Sequence, residues 1–268
     1  MAQWHFDAET AVTAIGPGRW STRLSPAWNI GDNPNGGYAA AAALRAACRV
    51  TEQPDPVSVT THYLRPAVAD RDAEIVTELV RKGRRAVNVT ASLHQDGKER
   101  LRMIAAVADL ERAAPDTGQP ALSPPMVELP APEHCVPRDT LGQGVELAIT
   151  SRVDVRIAPA LAEPGASDRA EMAGWVRFAD GRPVDSAALV LFADAFPPSL
   201  YSLLGAVGWV PTLELTVHVR RRPAPGWIAT RFRTSDLAGG MMVEDGELWD
   251  ETGVLVARSR QLALLLTE

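Results

Sequence analysis

Residues 38–50 read Tyr-Ala-Ala-Ala-Ala-Ala-Leu-Arg-Ala-Ala-Cys-Arg-Val, and six of the first seven are alanine or leucine. Alanine has the best intrinsic helix propensity, so the run predicts a helix. With no polar face at its amino end, that helix is predicted to lie buried. Its short side chains would let a sheet pack close against it. Asn35-Gly36-Gly37 supplies the start, with exposed amides.

Four strand-like runs follow, at roughly 57–65, 73–81, 85–94 and 100–110, broken by the turn chemistry of Arg65-Pro66, Lys82-Gly83 and Gln95-Asp96-Gly97-Lys98. The breaks are short enough for antiparallel hairpins. A helix followed by a meander predicts an α+β unit, with the helix on one sheet face. The stretch 111–150 then carries Pro115, Pro120, Pro124, Pro125, Pro130, Pro132 and Pro137. That density excludes a helix or a central strand and predicts a surface connection with a short helix near 138–142. Beyond it, Val153, Val155 and Ile157 alternate, and 172–178 reads as another strand. Asp185 is placed to cap a helix over 186–195 that Pro197-Pro198 ends. Runs at 212–221, 227–234, 242–250 and 254–266 complete the pattern. The predicted organisation is a first module over 1–112, a proline-rich connection over 113–150 and a second module over 151–268.

The two halves share a register. Slid without a gap, 57–110 falls on 213–266, so that Thr60 meets Thr216, His62 meets His218, Arg65 meets Arg221, Gly97 meets Gly253 and Arg102 meets Arg258. Strand runs, turns and the final apolar strand recur together, as an internal repeat requires. The same offset pairs Tyr38 with Asp194 and Ala105 with Gln261. The second copy therefore carries polar groups that the first lacks, which predicts one reactive site per pair.

Composition narrows the function classes. A hydrophobic content of 46% with 22% charged residues is that of a globular chain. A net charge of −6 opposes binding to nucleic acid or to an anionic membrane. The apolar stretch 186–196 is too short to span a bilayer. Two cysteines, Cys48 and Cys135, make no disulfide framework, and residues 1–10 lack an apolar signal core, so a cytoplasmic protein is expected. No metal-ligand spacing occurs among five scattered histidines, and no metal is expected. Exposed sheet edges predict a homo-oligomer.

A buried helix wrapped by an antiparallel sheet, then repeated, resembles the double-hotdog fold. In its residues the chain resembles the TesB-like acyl-CoA thioesterase family. The resemblance rests on Asn35-Gly36-Gly37-Tyr38-Ala39-Ala40, Thr60-Thr61-His62-Tyr63-Leu64-Arg65-Pro66, Phe192-Ala193-Asp194, Leu213-Glu214-Leu215-Thr216-Val217-His218 and 253–261. It implies hydrolysis of acyl-CoA or another acyl thioester, with coenzyme A only as part of the substrate and no further cofactor. It also implies a water held by an aspartate, a hydroxyl residue and a glutamine, which fall on Asp194, Thr216 and Gln261. The strand before the hydroxyl reads Leu-Glu-Leu-Thr, where the family often carries an Asp-His pair.

The residues bear on these assignments independently. Asp194 is the one charge in an apolar helix and sits near its carboxyl end, where the helix dipole disfavours an anion. Local physics opposes it, as at functional positions. Gln261 interrupts an apolar strand, and period two sets it opposite Arg258 and Arg260, facing inward. Thr216 alternates onto the face of Glu214 and His218. His218 recurs at His62, which fits a structural role. Gly36, Gly37 and Tyr38, with Gly240 and Met241 as a lip, form the expected substrate-binding set; Tyr38 is read as packing, and the Gly36 or Gly37 amide as an oxyanion donor. Arg220-Arg221-Arg222 is a candidate for coenzyme phosphates. A hotdog enoyl-CoA hydratase or dehydratase would need a His–Asp or His–Glu pair, and none stands beside Asp194. A non-catalytic acyl-CoA or lipid-binding protein is the other alternative.

Overall fold

The computed structural model describes residues 4–113 and 122–266. Residues 1–3 of the polar amino terminus, and Pro115 and Pro120 of the proline-rich stretch, lie outside the described residues. The chain opens with helix α1 (His5–Glu9), strands β1 (Thr13–Gly16) and β2 (Arg19–Arg23), and the two-residue strands β3 (Asn29–Ile30) and β4 (Asn33–Pro34). Helix α2 (Gly36–Thr51) follows, then β5 (Asp55–Tyr63), β6 (Asp72–Lys82), β7 (Val87–Gln95), β8 (Lys98–Ala108) and the short α3 (Leu110–Ala113). The remainder holds β9 (Val136–Pro137), β10 (Val153–Ile157), β11 (Glu171–Phe178), α4 (Ala188–Phe192) and α5 (Leu200–Leu204). Strands β12 (Thr212–Val219), β13 (Ile228–Ala238), β14 (Met241–Asp250) and β15 (Leu255–Leu264) complete it. Among the described residues no helix is long and apolar enough to cross a membrane.

All strands but β3 and β4 join one antiparallel sheet in the order β1-β2-β6-β7-β8-β5-β12-β15-β14-β13-β11-β10-β9. Read outward from the central β5–β12 pair, the two directions match: the last strand of the meander (β8 or β15), the two strands before it in reverse order, then strands from an earlier part of the chain. The register explains the repeat seen in the sequence. Thr60 and Thr216, 156 positions apart, face each other across β5 and β12, with their Oγ1 atoms 2.9 Å apart.

Helix α2 is the core of the first half. The Asn35 side chain caps it by accepting the Tyr38 amide at 2.9 Å, and Glu52 closes it in the left-handed region. Its alanines are buried from Ala39 to Ala43 against the inner sheet face, as expected for small side chains under a wrapping sheet. The helix expected over 186–195 is shorter. Asp185 does accept the Ala188 amide, at 2.8 Å, but the α-helical part ends at Phe192. From there Asp194 and Ala195 donate to carbonyls three residues back, so the chain tightens into turns before Pro197-Pro198. Two prolines in succession remove the amides that would continue the helix.

The amino-terminal residues, unassigned by pattern, form a plug. Trp28 stacks on Tyr38 at 4.8 Å, and Glu9 accepts both the Trp28 indole and a two-point bond from Arg152. The proline-rich connection departs from expectation as well. Its short helix is a 3-10 turn at Arg138–Thr140, and Arg138 is buried rather than superficial.

Asp55 ties the halves together. Its carboxylate, 2% exposed, accepts from Arg222 at 2.8 Å, Ser186 Oγ at 2.6 Å and the Leu110 amide at 2.9 Å. Removing Asp55 leaves Arg222 its partners Asp109 and Glu111 but strips the Ser186 hydroxyl and the Leu110 amide of their acceptor, at a cost of about 2 kcal/mol. Asp55→Ala is expected to lower unfolding free energy by about that amount in urea titrations. A loss below about 1 kcal/mol would show the cluster to be no tie.

Candidate active site

A cavity of about 290 Å³ opens where the amino end of α2, the turn after α4 and the inner face of the β12–β15–β14 sheet meet. Asn35, Gly36, Tyr63, Arg138, Gln143, Asp194, Thr212, Glu244 and Gln261 all line it.

Asp194 is held by the helix start of the other half. Its Oδ2 accepts from the Gly37 amide at 2.7 Å and from Asn35 Nδ2 at 2.9 Å, while the same Nδ2 reaches the Asp194 carbonyl at 2.8 Å. Asn35 thus caps α2 with its oxygen and grips Asp194 with its nitrogen. Oδ1 has no hydrogen bond among the described residues. The glycine pair permits this approach: a Cβ on Gly37 would lie 2.9 Å from the Asp194 Cβ and 3.0 Å from the Leu191 Cα. Burial pushes the carboxyl up to about 6, against the opposing pull of the Gly37 amide, Asn35, the Arg138 charge and the Gly36 amide.

Gln261 lies on the inner face, as its parity predicts: Ser259 and Ala263 are buried, whereas Arg258 and Arg260 are exposed. Its Nε2 donates to Thr212 Oγ1. A register shift between Thr212 and Glu214 turns Thr212 onto this inner wall, opposite Ala263. Thr216 does not reach the cavity. It pairs with exposed Arg260 and with Thr60, and its hydroxyl bonds to Thr60 and Glu214 on the outer face, while Leu215 and Val217 point to the core. The threonine hydroxyl that meets Gln261 on the cavity wall is that of Thr212, not Thr216.

Of the expected substrate-binding set, Gly36 lines the cavity and the other four residues do not. Tyr38 is fully buried away from the cavity, donating to the Glu9 carbonyl at 2.6 Å and accepting from the Ser25 amide. Gly37 touches the site only through its amide, which Asp194 occupies, so that amide is not an oxyanion donor. Gly240 and Met241 do not line the cavity. They sit in the β13–β14 turn, where Gly239 and Gly240 take positive φ, and alternation points Met241 out and Met242 in. His62 and His218 are exposed. Arg222 is held by Asp55, Asp109 and Glu111, away from the cavity.

Several cavity residues escaped the sequence. Glu244 stands opposite Gln261 in the β14–β15 pair, and its Oε2 accepts the Ser199 amide at 2.7 Å. Burial pushes its carboxyl up to about 7, countered by Ser199 and reinforced by the Asp194 charge. Its signal was available: period two places this acid on the face of Met242 and Leu248. The Tyr63 hydroxyl is buried without a partner, and burial raises its phenol well above the usual range. Arg138, 2% exposed, donates to the Ala195 carbonyl and to Gln143 Oε1. Nothing in its local sequence marks it. Burial pushes it down to about 10, which leaves it charged at neutral pH.

Residues 24–109 match the sequence model described as the acyl-CoA thioesterase N-terminal domain, and residues 132–265 match the acyl-CoA thioesterase C-terminal domain. Among solved structures, a putative thioesterase II from Thermobifida fusca is 32% identical, with a TM-score of 0.88 over 100% of this chain and 99% of that one. A hot dog fold protein of unknown function from Alicyclobacillus acidocaldarius is 24% identical, with a TM-score of 0.85 over all of both chains. The tesB protein of Mycobacterium avium subs paratuberculosis is 21% identical, with a TM-score of 0.78 over 98% of each. An uncharacterized protein of Mycobacterium tuberculosis is 28% identical over 262 residues, 90% of this chain and 89% of that one.

Because its burial raises the Asp194 carboxyl above 3.8 to about 6, this group favours the fold when neutral and loses that contribution as pH rises through 6. Asp194→Asn keeps the hydrogen bonds without the charge. It is expected to be more stable than the parent by roughly 2 kcal/mol in urea at pH 8, with the gain vanishing by pH 4. A variant less stable at pH 8 would contradict the burial argument.

Proposed function

Since the chain belongs to the acyl-CoA thioesterase family, has the hotdog fold and is a thioester hydrolase, we propose that Asp194, Gln261 and Thr212 hold the attacking water. The observation that carries this reading is the asymmetry of the Asp194 carboxylate. One oxygen is fixed by α2 amide donors, and the other is free on a carboxylate that lines the cavity. A fixed carboxylate is a pre-oriented base, which general-base catalysis requires. Gln261 donates to Thr212, which leaves its carbonyl to accept a hydrogen bond from the water.

In this reading Asp194 takes a proton as the water oxygen bonds to the thioester carbon. The Tyr63 hydroxyl, a buried donor without an acceptor beside Gly36, receives the developing oxyanion. Collapse breaks the carbon–sulfur bond, and the thiolate leaves and takes up the proton from Asp194. The products are a carboxylic acid and coenzyme A, with no acyl-enzyme. Arg65 and Arg100, which also line the cavity, are the groups we assign to the coenzyme phosphates in place of 220–222. We read the architecture as a double hotdog, with modules at 1–112 and 151–268, the second helix reduced to α4 and its turns. A hydratase is disfavoured because no histidine lines the cavity among the described residues.

Thiol release from a panel of acyl-CoAs tests the assignment. Asp194→Asn is expected to lose about 1,000-fold or more in kcat, and Thr212→Val and Gln261→Ala about 10- to 100-fold each. Thr216→Val, on the outer face, is expected to stay within about twofold of the parent. Equal losses for the two threonine variants would return the hydroxyl role to the outer face. Since Asp194 acts ionised and its carboxyl is pushed up to about 6, kcat/KM is expected to fall as pH drops through 6. A flat profile from pH 5 to 8 would exclude it as the base.

A further inference from the structure

Two buried arginines in this chain are treated oppositely. Arg182 is bonded by Asp7 and Asp185. Arg138 makes no ion pair with an acidic side chain among the described residues; its guanidinium donates only to the Ala195 carbonyl and to Gln143 Oε1, the latter at 3.0 Å. Its Nε and the Gln143 Nε2 are both buried without an acceptor among the described residues. Arg138 is 2% exposed and Gln143 6%, and both side chains line the cavity that Asp194 lines. Asp194 acts on Arg138 only through space, and its Oδ2 is already engaged by Gly37 and Asn35.

An unpaired guanidinium in the interior is costly, because its lost hydration is not replaced. Orphaned donors on neighbouring side chains call for an acceptor brought by a ligand. A planar guanidinium with a second donor beside it fits the two oxygens of a carboxylate. The depth of Arg138 separates it from the coenzyme phosphates, which are heavily hydrated groups suited to Arg65 and Arg100. The thioester oxygen already has the Tyr63 hydroxyl. What remains for Arg138 is the far end of the acyl group, and a cavity of about 290 Å³ suits a short one.

We propose that this protein prefers short acyl thioesters bearing a second, terminal carboxylate, which Arg138 and Gln143 bind. The inference rests on the hydrolase reading above and specifies its substrate class. Hydrolysis would release a dicarboxylate and a thiol by the same water attack.

The test compares glutaryl-CoA with pentanoyl-CoA, equal in carbon count, and with neutral 5-hydroxypentanoyl-CoA, by thiol release. For the parent protein, kcat/KM is expected to be at least about tenfold higher for glutaryl-CoA than for either comparison substrate. Arg138→Met is expected to lower the glutaryl-to-pentanoyl ratio about 100-fold, mainly through KM, and Gln143→Leu about tenfold. Calorimetry with free glutarate and pentanoate reads the subsite without turnover and stands even if Arg138→Met fails to fold. Binding of glutarate alone, weakened by Gln143→Leu, supports the subsite even if no thioester is cleaved, in which case only the hydrolase reading fails. A parent that prefers pentanoyl-CoA or 5-hydroxypentanoyl-CoA, an equal kcat loss on both acyl groups in Arg138→Met, or no selective glutarate binding overturns the proposal.

Discussion

The carboxylate of Asp194 docked on the amino end of α2 is the contact on which the rest of this structure depends. At the end of its own short helix an aspartate is misplaced, because the carbonyls there repel it. The structure resolves the conflict by giving it another helix. The α2 start offers unsatisfied amides and the positive end of a dipole, and Gly37 and Asn35 deliver them at 2.7 and 2.9 Å. Two glycines bring the backbones close enough, and Asn35 serves both the cap and the grip. Because this contact consumes the Gly37 amide, the oxyanion donor in the proposed mechanism is a different group, the Tyr63 hydroxyl.

The same contact explains why the two halves are unequal. Across the repeat, Tyr38 occupies the position of Asp194, yet its hydroxyl is spent on Glu9 and Ser25 beneath the amino-terminal plug. Ala105, the counterpart of Gln261, is buried and apolar. One half offers a helix start and the other a carboxylate, so the pair makes one polar cavity. Into it the proline-rich stretch delivers the buried Arg138.

The fold was legible where pattern follows local rules. Alternation and turn chemistry located the long strands within a few residues, and alanine content located α2. The shortening of the second helix was not legible, because its final turns are set by the α2 amides and two prolines together. Asp194 and Gln261 stood out through conflict with their own surroundings. Thr216 misled because a bulge after Thr212 reverses which hydroxyl faces inward, and strict alternation has no sign of a bulge. Glu244 carried a readable signal, an acid on an apolar face, that went unused. Arg138 carried none: its burial exists only once the connection folds back against Ala195.

The central claim is that water, oriented by a carboxylate fixed on a helix start, attacks the thioester directly. Repeated turnover in ¹⁸O-water, followed by mass analysis of the acid product and of the peptide containing Asp194, tests it. The account requires the label in the released acid and an unlabelled Asp194. Label incorporated into Asp194 would mean that the carboxylate itself attacks through an anhydride, and would contradict it.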